Sequence, residues 1–348
     1  MQPFDYAVPA TAEQAVRLLG TRGAAGRPAV PVAGGSDLLA LVKDGVLSPG
    51  RLVDLSGLDG LAEVAVVDDS LVLGALAPLA DLAAHREVAA RQPALARALS
   101  RVASPQIRHV GTLGGNLCQR PRCWYFRRGY GLLAQLDGVS MPVAGDNRYH
   151  AILGTGGAAG GPAYFVSPST VAPLLVALGA EVRAAGPGGG RTVPLSSLYR
   201  VPRRPEEGEI ALAPAEIVTH VVVPPARGAR AASYEVRQRR SLDWSLATAA
   251  VVLRLDGERV EEARVVLGQV APVPWRCEAA ERWLVGRVLD AETMARAGEE
   301  AVAGAQPLSR NGYKVQLART AVARALTAVL RGGAAATAPA PAPSGGAR

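Results

Sequence analysis

The chain has 348 residues and a formal net charge of +8, with abundant aliphatic side chains and only 4% aromatic ones. That length can bury a full core and points to two domains, and no apolar run approaches the roughly 20 residues that span a bilayer. The positive charge is almost all arginine, with lysine only at Lys43 and Lys314. It is dispersed along an Ala/Gly-rich chain and forms no basic arm, which argues against nucleic acid as a partner.

At the N-terminus, Thr11 and Gln14 make a capping-box pattern ahead of a helix that ends near Gly20. Residues 28–33 read as a buried strand closed by Gly34-Gly35, after which Ser36-Asp37 can cap a helix through Leu41. Strands are predicted at Leu52–Leu55, Glu63–Val67 and Leu71–Leu76, and helices at Leu79–His85 and Ala94–Val102. Regularity is then lost over about 120–161, an irregular Gly- and Arg-rich insertion. It returns at Tyr164–Pro168, with a helix at Val171–Leu178 and strands near Glu181–Ala184 and Val218–Val223.

The double proline Pro224-Pro225 marks the expected boundary between a domain at 1–225, with lobes at about 1–55 and 56–225, and a second at 226–331. The second domain reads as three antiparallel strands, Ala231–Gln238, Thr248–Leu255 and Glu262–Gly268, with Asp256-Gly257 as a hairpin turn. Three helices follow, at Arg276–Leu284, Ala291–Ala303 and Asn311–Leu330. Residues 332–348 are low-complexity Gly/Ala/Pro and are expected to be disordered. The N-terminus lacks the basic and apolar regions of a signal peptide, so a cytoplasmic protein is expected, unless a partner subunit carries an export signal.

Two glycine loops carry the functional signal. The first, at a strand-to-helix junction, comprises Val32, Ala33, Gly34, Gly35, Ser36, Asp37, Leu38 and Leu39. Glycine lets backbone approach a ligand closely, and successive N–H groups at a helix start suit a pyrophosphate. The second, Thr112, Leu113, Gly114, Gly115 and Asn116, follows Val102, Ala103 and Ser104. A pair of such loops in one α/β domain suggests a dinucleotide held from two sides, and FAD fits that need. Neither loop is the G-x-G-x-x-G fingerprint of a Rossmann domain. Three cysteines, Cys118, Cys123 and Cys277, are too few for a disulfide framework or four-thiolate cluster, and the four histidines show no metal spacing.

With these loops, the segments at 74–81, 116–127, 147–153, 239–243 and 270–274 make the chain resemble the FAD-binding subunit of the xanthine dehydrogenase, aldehyde oxidase and carbon monoxide dehydrogenase family, over about residues 5–330. The resemblance implies an α+β fold: a two-lobed α/β FAD-binding domain of the PCMH type, then a small domain of a three-stranded antiparallel sheet and a helical bundle. It implies that both loops line the FAD diphosphate and that Val102 and Val218 make apolar contacts to the cofactor. It also implies electron transfer within a heteromeric molybdenum hydroxylase, with a [2Fe-2S] small subunit as donor and a molybdenum-cofactor large subunit acting on substrate.

The chain departs from the family pattern in three places. An Asp that contacts the cofactor is replaced by Ser169 or Thr170, and a Lys near the flavin by Glu235. Of the four ligands that hold a [4Fe–4S] cluster within the insertion of some relatives, only Cys123 is present, so no cluster is expected. The Arg/aromatic segment Arg120–Tyr130 reads as structure plus subunit docking, although stacking on single-stranded bases would use the same residues. A branched side chain at Gly35 or Gly114 is expected to abolish FAD retention. The rival functions are a self-sufficient flavin oxidase, a scaffold that has lost FAD, and a nucleic-acid-binding protein.

Overall fold

A computed structural model of the chain describes residues 1–155, 163–204, 206–239 and 243–332. The N-terminal lobe is a parallel three-stranded sheet of order β1-β3-β2, formed by Asp5–Ala7 (β1), Ala29–Val32 (β2) and Arg51–Asp54 (β3). The first strand was too short to stand out in the sequence. Between β1 and β2 runs the helix Ala12–Leu19, where Thr11 Oγ1 accepts from the Gln14 N–H at 3.2 Å and Gln14 Oε1 accepts from the Ala10 N–H at 2.8 Å. Each bond satisfies a donor near the helix start. The helix buries Ala15, Val16 and Leu19 against Val53 and Leu55 of the sheet.

Val64–Val67 (β4) and Ser70–Gly74 (β5) begin a second, antiparallel sheet. A two-stranded hairpin, Gln135–Leu136 (β6) and Val139–Ser140 (β7), lies in the expected insertion. Glu181–Gly186 (β8), Gly189–Pro194 (β9) and Ile217–Val223 (β10) complete the second sheet in the order β4-β5-β10-β8-β9. Helices Leu79–Ala84, Pro93–Ser100 and Ala172–Ala177 cover it through a core containing Leu73, Leu95, Leu99 and Leu174, all fully buried. Burying each such leucine is worth about 1.5–3 kcal/mol relative to exposure. The stretch Tyr164–Pro168, expected to be regular, is extended chain without a sheet. Two of its backbone groups find partners outside any sheet: the Tyr164 carbonyl accepts from the Ala151 N–H, and the Ser167 N–H donates to the Ala271 carbonyl.

The insertion has its own small core of Cys123, Phe126, Leu132, Leu133 and Phe165, packed on Leu41 of the helix after the first glycine loop. Its end is pinned to the C-terminal helices. Asn147 Nδ2 donates to the Pro142 carbonyl and Ser309 Oγ, and Asn311 Nδ2 donates to the His150 and Ala151 carbonyls.

Arg230–Val236 (β11), Ala247–Asp256 (β12), Arg259–Gly268 (β13) and Trp275–Arg276 (β14) form the third sheet. It has four strands where three were expected, because Trp275–Arg276 adds a short edge to β13. Helices Glu278–Leu284, Ala291–Val302 and Tyr313–Leu330 pack on it around Ala297, Ala318, Ala321, Val322 and Leu326. Among the described residues no helix is long and apolar enough to cross a membrane. Residues 156–161 of the insertion, 240–242 of the motif at 239–243, and the tail 333–348 lie outside the described residues.

Candidate FAD site

The two glycine loops meet. At Gly34 a Cβ would lie 1.6 Å from the carbonyl oxygen of Val110, so only glycine lets the first loop rest on the turn before the second. Gly35 takes a φ of +65°, a conformation glycine adopts without a Cβ penalty. Beyond it, Ser36 and Asp37 do not cap the following helix, Leu38–Lys43, with their side chains. The Asp37 carboxylate is used elsewhere: Oδ1 accepts from Arg122 Nη1 at 2.9 Å and Arg127 Nη2 at 2.8 Å, and Oδ2 from the Arg120 N–H at 2.8 Å. One carboxylate thus ties the Arg/aromatic segment to the first loop, which overrides local capping.

Two adjoining clefts of about 350 and 240 Å³ flank the loops and share Ser36, Asp37, Thr112, Gly115 and Gln119 as walls. The larger reaches Val102, Ala103, Ser104, Asn116 and Thr170, and the smaller reaches Val32, Ala33, Gly34, Gly35, Leu38, Gly114 and Val218. Val102 and Val218 therefore stand in different clefts, each supplying an apolar wall. Two of the expected site residues line neither. Leu113 is fully buried in the core beneath the loop, and Leu39 is 40% exposed, with its side chain against Gly35.

The loops also differ in what their backbones offer. In the second, the Leu113 N–H donates to the Ala77 carbonyl, Gly114 to Ala75, Asn116 to Thr112, and Gly115 to Thr112 Oγ1. These amides are spent on the fold. In the first, the N–H groups of Gly34, Gly35, Ser36, Asp37 and Leu38 have no hydrogen-bond partner among the described residues. Successive unpaired backbone donors beside a cleft are what a multiply charged anion requires, since such groups are otherwise paired or hydrated. The residues fit an FAD diphosphate, with the first loop as donor. The second contributes Thr112, the Asn116 side chain and the exposed Gly115, where a Cβ would meet only Thr112 Oγ1. As for Gly114, its added Cβ would face Ala75 at 3.0 Å, so it serves packing and does not itself keep the cleft open.

Nearby side chains complete the walls. Arg108 donates to the carbonyls of Val102 at 2.8 Å and Ala103 at 3.0 Å, holding a turn in which Ala103 has a φ of +43°. Ser169 is buried. Its hydroxyl donates to Asn116 Oδ1 at 2.7 Å and accepts from the Ala172 N–H at 3.0 Å, while Thr170 is the one of the pair that lines the cleft. Glu235 does not line it. It accepts from Arg237 Nη2 and from the Ser245 hydroxyl, each at 2.6 Å, and Arg237 stands with Arg122 as a cation in the cleft wall. Arg122 stacks over the Trp244 ring, 4.3 Å from its centroid, and both line the larger cleft. Burial lowers the Arg122 pKa to about 10, which leaves it charged at neutral pH. Sequence reasoning missed Gln119, Arg122, Arg237 and Trp244. Arg122 had been noticed only as part of a docking surface, and Trp244 and Arg237 come from the connection between two strands of the third sheet, β11 and β12.

Residues 2–226 match the model of the FAD binding domain in molybdopterin dehydrogenase, and residues 232–329 that of the CO dehydrogenase flavoprotein C-terminal domain. The chain belongs to the FAD-binding medium subunits of the xanthine dehydrogenase, CO dehydrogenase and aldehyde oxidoreductase family. It is 35% identical over 304 residues to the aldehyde oxidoreductase FAD-binding subunit PaoB of Escherichia coli, covering 85% of this chain and 89% of the relative. The medium chain of carbon monoxide dehydrogenase from Hydrogenophaga pseudoflava is 28% identical over 329 residues, covering 93% of this chain and 96% of the other. A solved structure of carbon monoxide dehydrogenase from that organism superposes with a TM-score of 0.74 at 28% identity, covering 95% of this chain and 99% of the other. The expected α+β, PCMH-type architecture is the architecture of this family, and FAD is its cofactor.

The insertion holds a second cluster. Cys123 Sγ lies 3.1 Å from His150 Nε2, and both are buried. Burial raises the Cys123 thiol pKa and lowers that of His150 to about 4, so the pair is neutral and the thiol is a poor nucleophile. Lys314, also buried, donates to the carbonyls of Tyr149, His150 and Gln269 at 3.2, 3.1 and 2.6 Å. Among the described residues no three His, Cys, Asp or Glu side chains converge to hold a metal.

Proposed function

We propose that this FAD subunit relays electrons within a heteromeric molybdenum hydroxylase. It takes them from a [2Fe-2S] small subunit, whose own donor is a molybdenum-cofactor large subunit, and passes them to an external acceptor. The observation that carries the reading is the run of five N–H groups from Gly34 to Leu38 that have no partner among the described residues, beside clefts walled by the second loop. Bound FAD supplies a carrier for one- or two-electron transfer. The first loop's amides hold its diphosphate, aided by Thr112 and Asn116. Ser169 fixes the Asn116 side chain, and Glu235 fixes the Arg237 guanidinium in the cleft wall. Arg122, held by Asp37 and stacked on Trp244, closes the end toward the third sheet.

The relatives support partners, because one is the FAD-binding subunit of an aldehyde oxidoreductase and another the medium chain of a carbon monoxide dehydrogenase. The test is to purify the tagged chain from the cells that make it and assay the co-purifying material for molybdenum and iron. Stoichiometric molybdenum with iron in a [2Fe-2S] spectrum is expected. FAD-loaded chain that turns over a substrate alone would replace the relay with a self-sufficient oxidase.

A further inference from the structure

Beyond the Arg122–Trp244 pair lies a separate cavity of about 200 Å³, sharing Arg122, Asp243 and Trp244 with the larger FAD cleft. Trp124, Tyr149, Phe165 and Trp244 give it aromatic walls. Three of its lining residues carry buried polar atoms with no partner among the described residues: Arg122 Nε, His150 Nδ1 and Gln269 Oε1. An unpaired buried polar atom costs about 1–3 kcal/mol. Three around one aromatic cavity point to a ligand that pairs with them.

Size, charge and hydrogen bonding narrow the ligand. The volume lies below the roughly 300–1,000 Å³ of drug-sized pockets, so one ring fits. The cations nearby are already engaged: Arg122 Nη1 on Asp37, Nη2 on Gln119 Oε1, and Lys314 on three carbonyls. Among the described residues no free cation in the wall awaits a carboxylate or phosphate, and the Asp243 carboxylate there repels one, so the ligand is not an anion. Arg122 Nε can only donate and Gln269 Oε1 can only accept. His150 can do either. When Cys123 S–H donates to Nε2, Nδ1 bears the proton and donates; when Nε2–H points at sulfur, Nδ1 accepts. Both arrangements keep imidazole and thiol neutral.

We propose that this cavity binds a single-ring quinone and its hydroquinone, the class of the external acceptor. A quinone presents two acceptor oxygens and its hydroquinone two hydroxyl donors, and the His150–Cys123 pair can match both forms. Reduction of the bound quinone takes two electrons from the complex's reduced cofactor and two protons from solvent, and it breaks no ring bond. The role as acceptor rests on the relay proposed above; the binding site does not.

The test titrates duroquinone and its hydroquinone into the full chain by calorimetry, with FAD content measured on the same samples. Duroquinone is fully substituted and cannot alkylate thiols. Saturable binding of both forms is expected. Val166→Trp, which fills the cavity from a residue lining only it, should weaken both at least tenfold at unchanged FAD content. Cys123→Ala, which removes the partner of Nε2, should change the ratio of quinone to hydroquinone affinity by several-fold. Undiminished binding to both variants, or displacement of FAD by duroquinone, would overturn the proposal. Wild-type chain without FAD would sink the relay reading, while duroquinone binding to it would still report on the cavity.

Discussion

Replacing Gly34 by alanine adds a single methyl group at the point where the two glycine loops touch. That methyl would sit 1.6 Å from the Val110 oxygen, 2.6 Å from its carbonyl carbon and 3.2 Å from the Gly111 nitrogen, all of them backbone. No side chain can swing aside, so the loops must part by more than an ångström. Overpacking of this kind costs about 1–3 kcal/mol, and a backbone obstacle belongs at the upper end. For a chain of this size each kcal/mol lowers Tm by roughly 1–2 °C. Moving the Gly34–Leu38 donors off the diphosphate removes charge-assisted hydrogen bonds worth about 1.5–3 kcal/mol each, so losing even one weakens FAD by about tenfold or more. The assay is thermal melting with and without added FAD, and titration of FAD into flavin-stripped protein. Gly57→Ala is the control, because a Cβ there meets nothing within 4 Å. Wild-type Tm and FAD affinity in Gly34→Ala would refute the placement of the diphosphate on the first loop.

Gly114→Val should lower stability by about 1–3 kcal/mol through contact with Ala75, with melting falling in the flavin-free chain as much as in the loaded one. Loss of FAD without loss of stability would return Gly114 to the cofactor wall. Asp37→Ala leaves Arg122 and Arg127 without their shared carboxylate, so Arg120–Tyr130 should become an early site of tryptic cleavage; unchanged cleavage would show that packing alone holds the segment. His150 gives a pH signature. Its folded pKa of about 4 lies below the usual 6.5, so the unfolded chain binds the extra proton first. Its contribution is undiminished above pH 6.5 and is lost as pH falls toward 4, by up to about 3 kcal/mol. His150→Phe should flatten denaturant-measured stability across that window, and an unaltered slope would assign the acid sensitivity elsewhere.

Much of the fold was legible because its long elements alternate plainly. The strands β10, β12 and β13 and the last three helices stand within a few residues of their expected positions. Elements that escaped are short or built from residues that hide their pattern. Gly189–Pro194 contains two glycines and a terminal proline, and Pro105–Val110 and Leu113–Leu117 are single turns set by Ser104 and Thr112 caps. At the site, the glycine loops were visible as sequence, but backbone satisfaction was not. Nothing in Gly111–Asn116 announces that its amides are consumed by Ala75 and Ala77. The capping role expected of Asp37 failed because three donors about 85 residues away compete for its carboxylate more strongly than local N–H groups do. Glu235 looked like a lost cation because the arginine that lines the larger cleft, Arg237, follows two residues later, just beyond the end of β11.

The central claim is that this chain carries FAD on the first glycine loop. The most direct measurement is the cofactor released from purified wild-type and Gly34→Ala protein by acid denaturation, identified chromatographically and quantified per chain. Near-stoichiometric FAD from the wild type and a large loss from the variant is the predicted result. Absence of FAD from the wild type even after incubation with the cofactor, or equal FAD from both proteins, would contradict it.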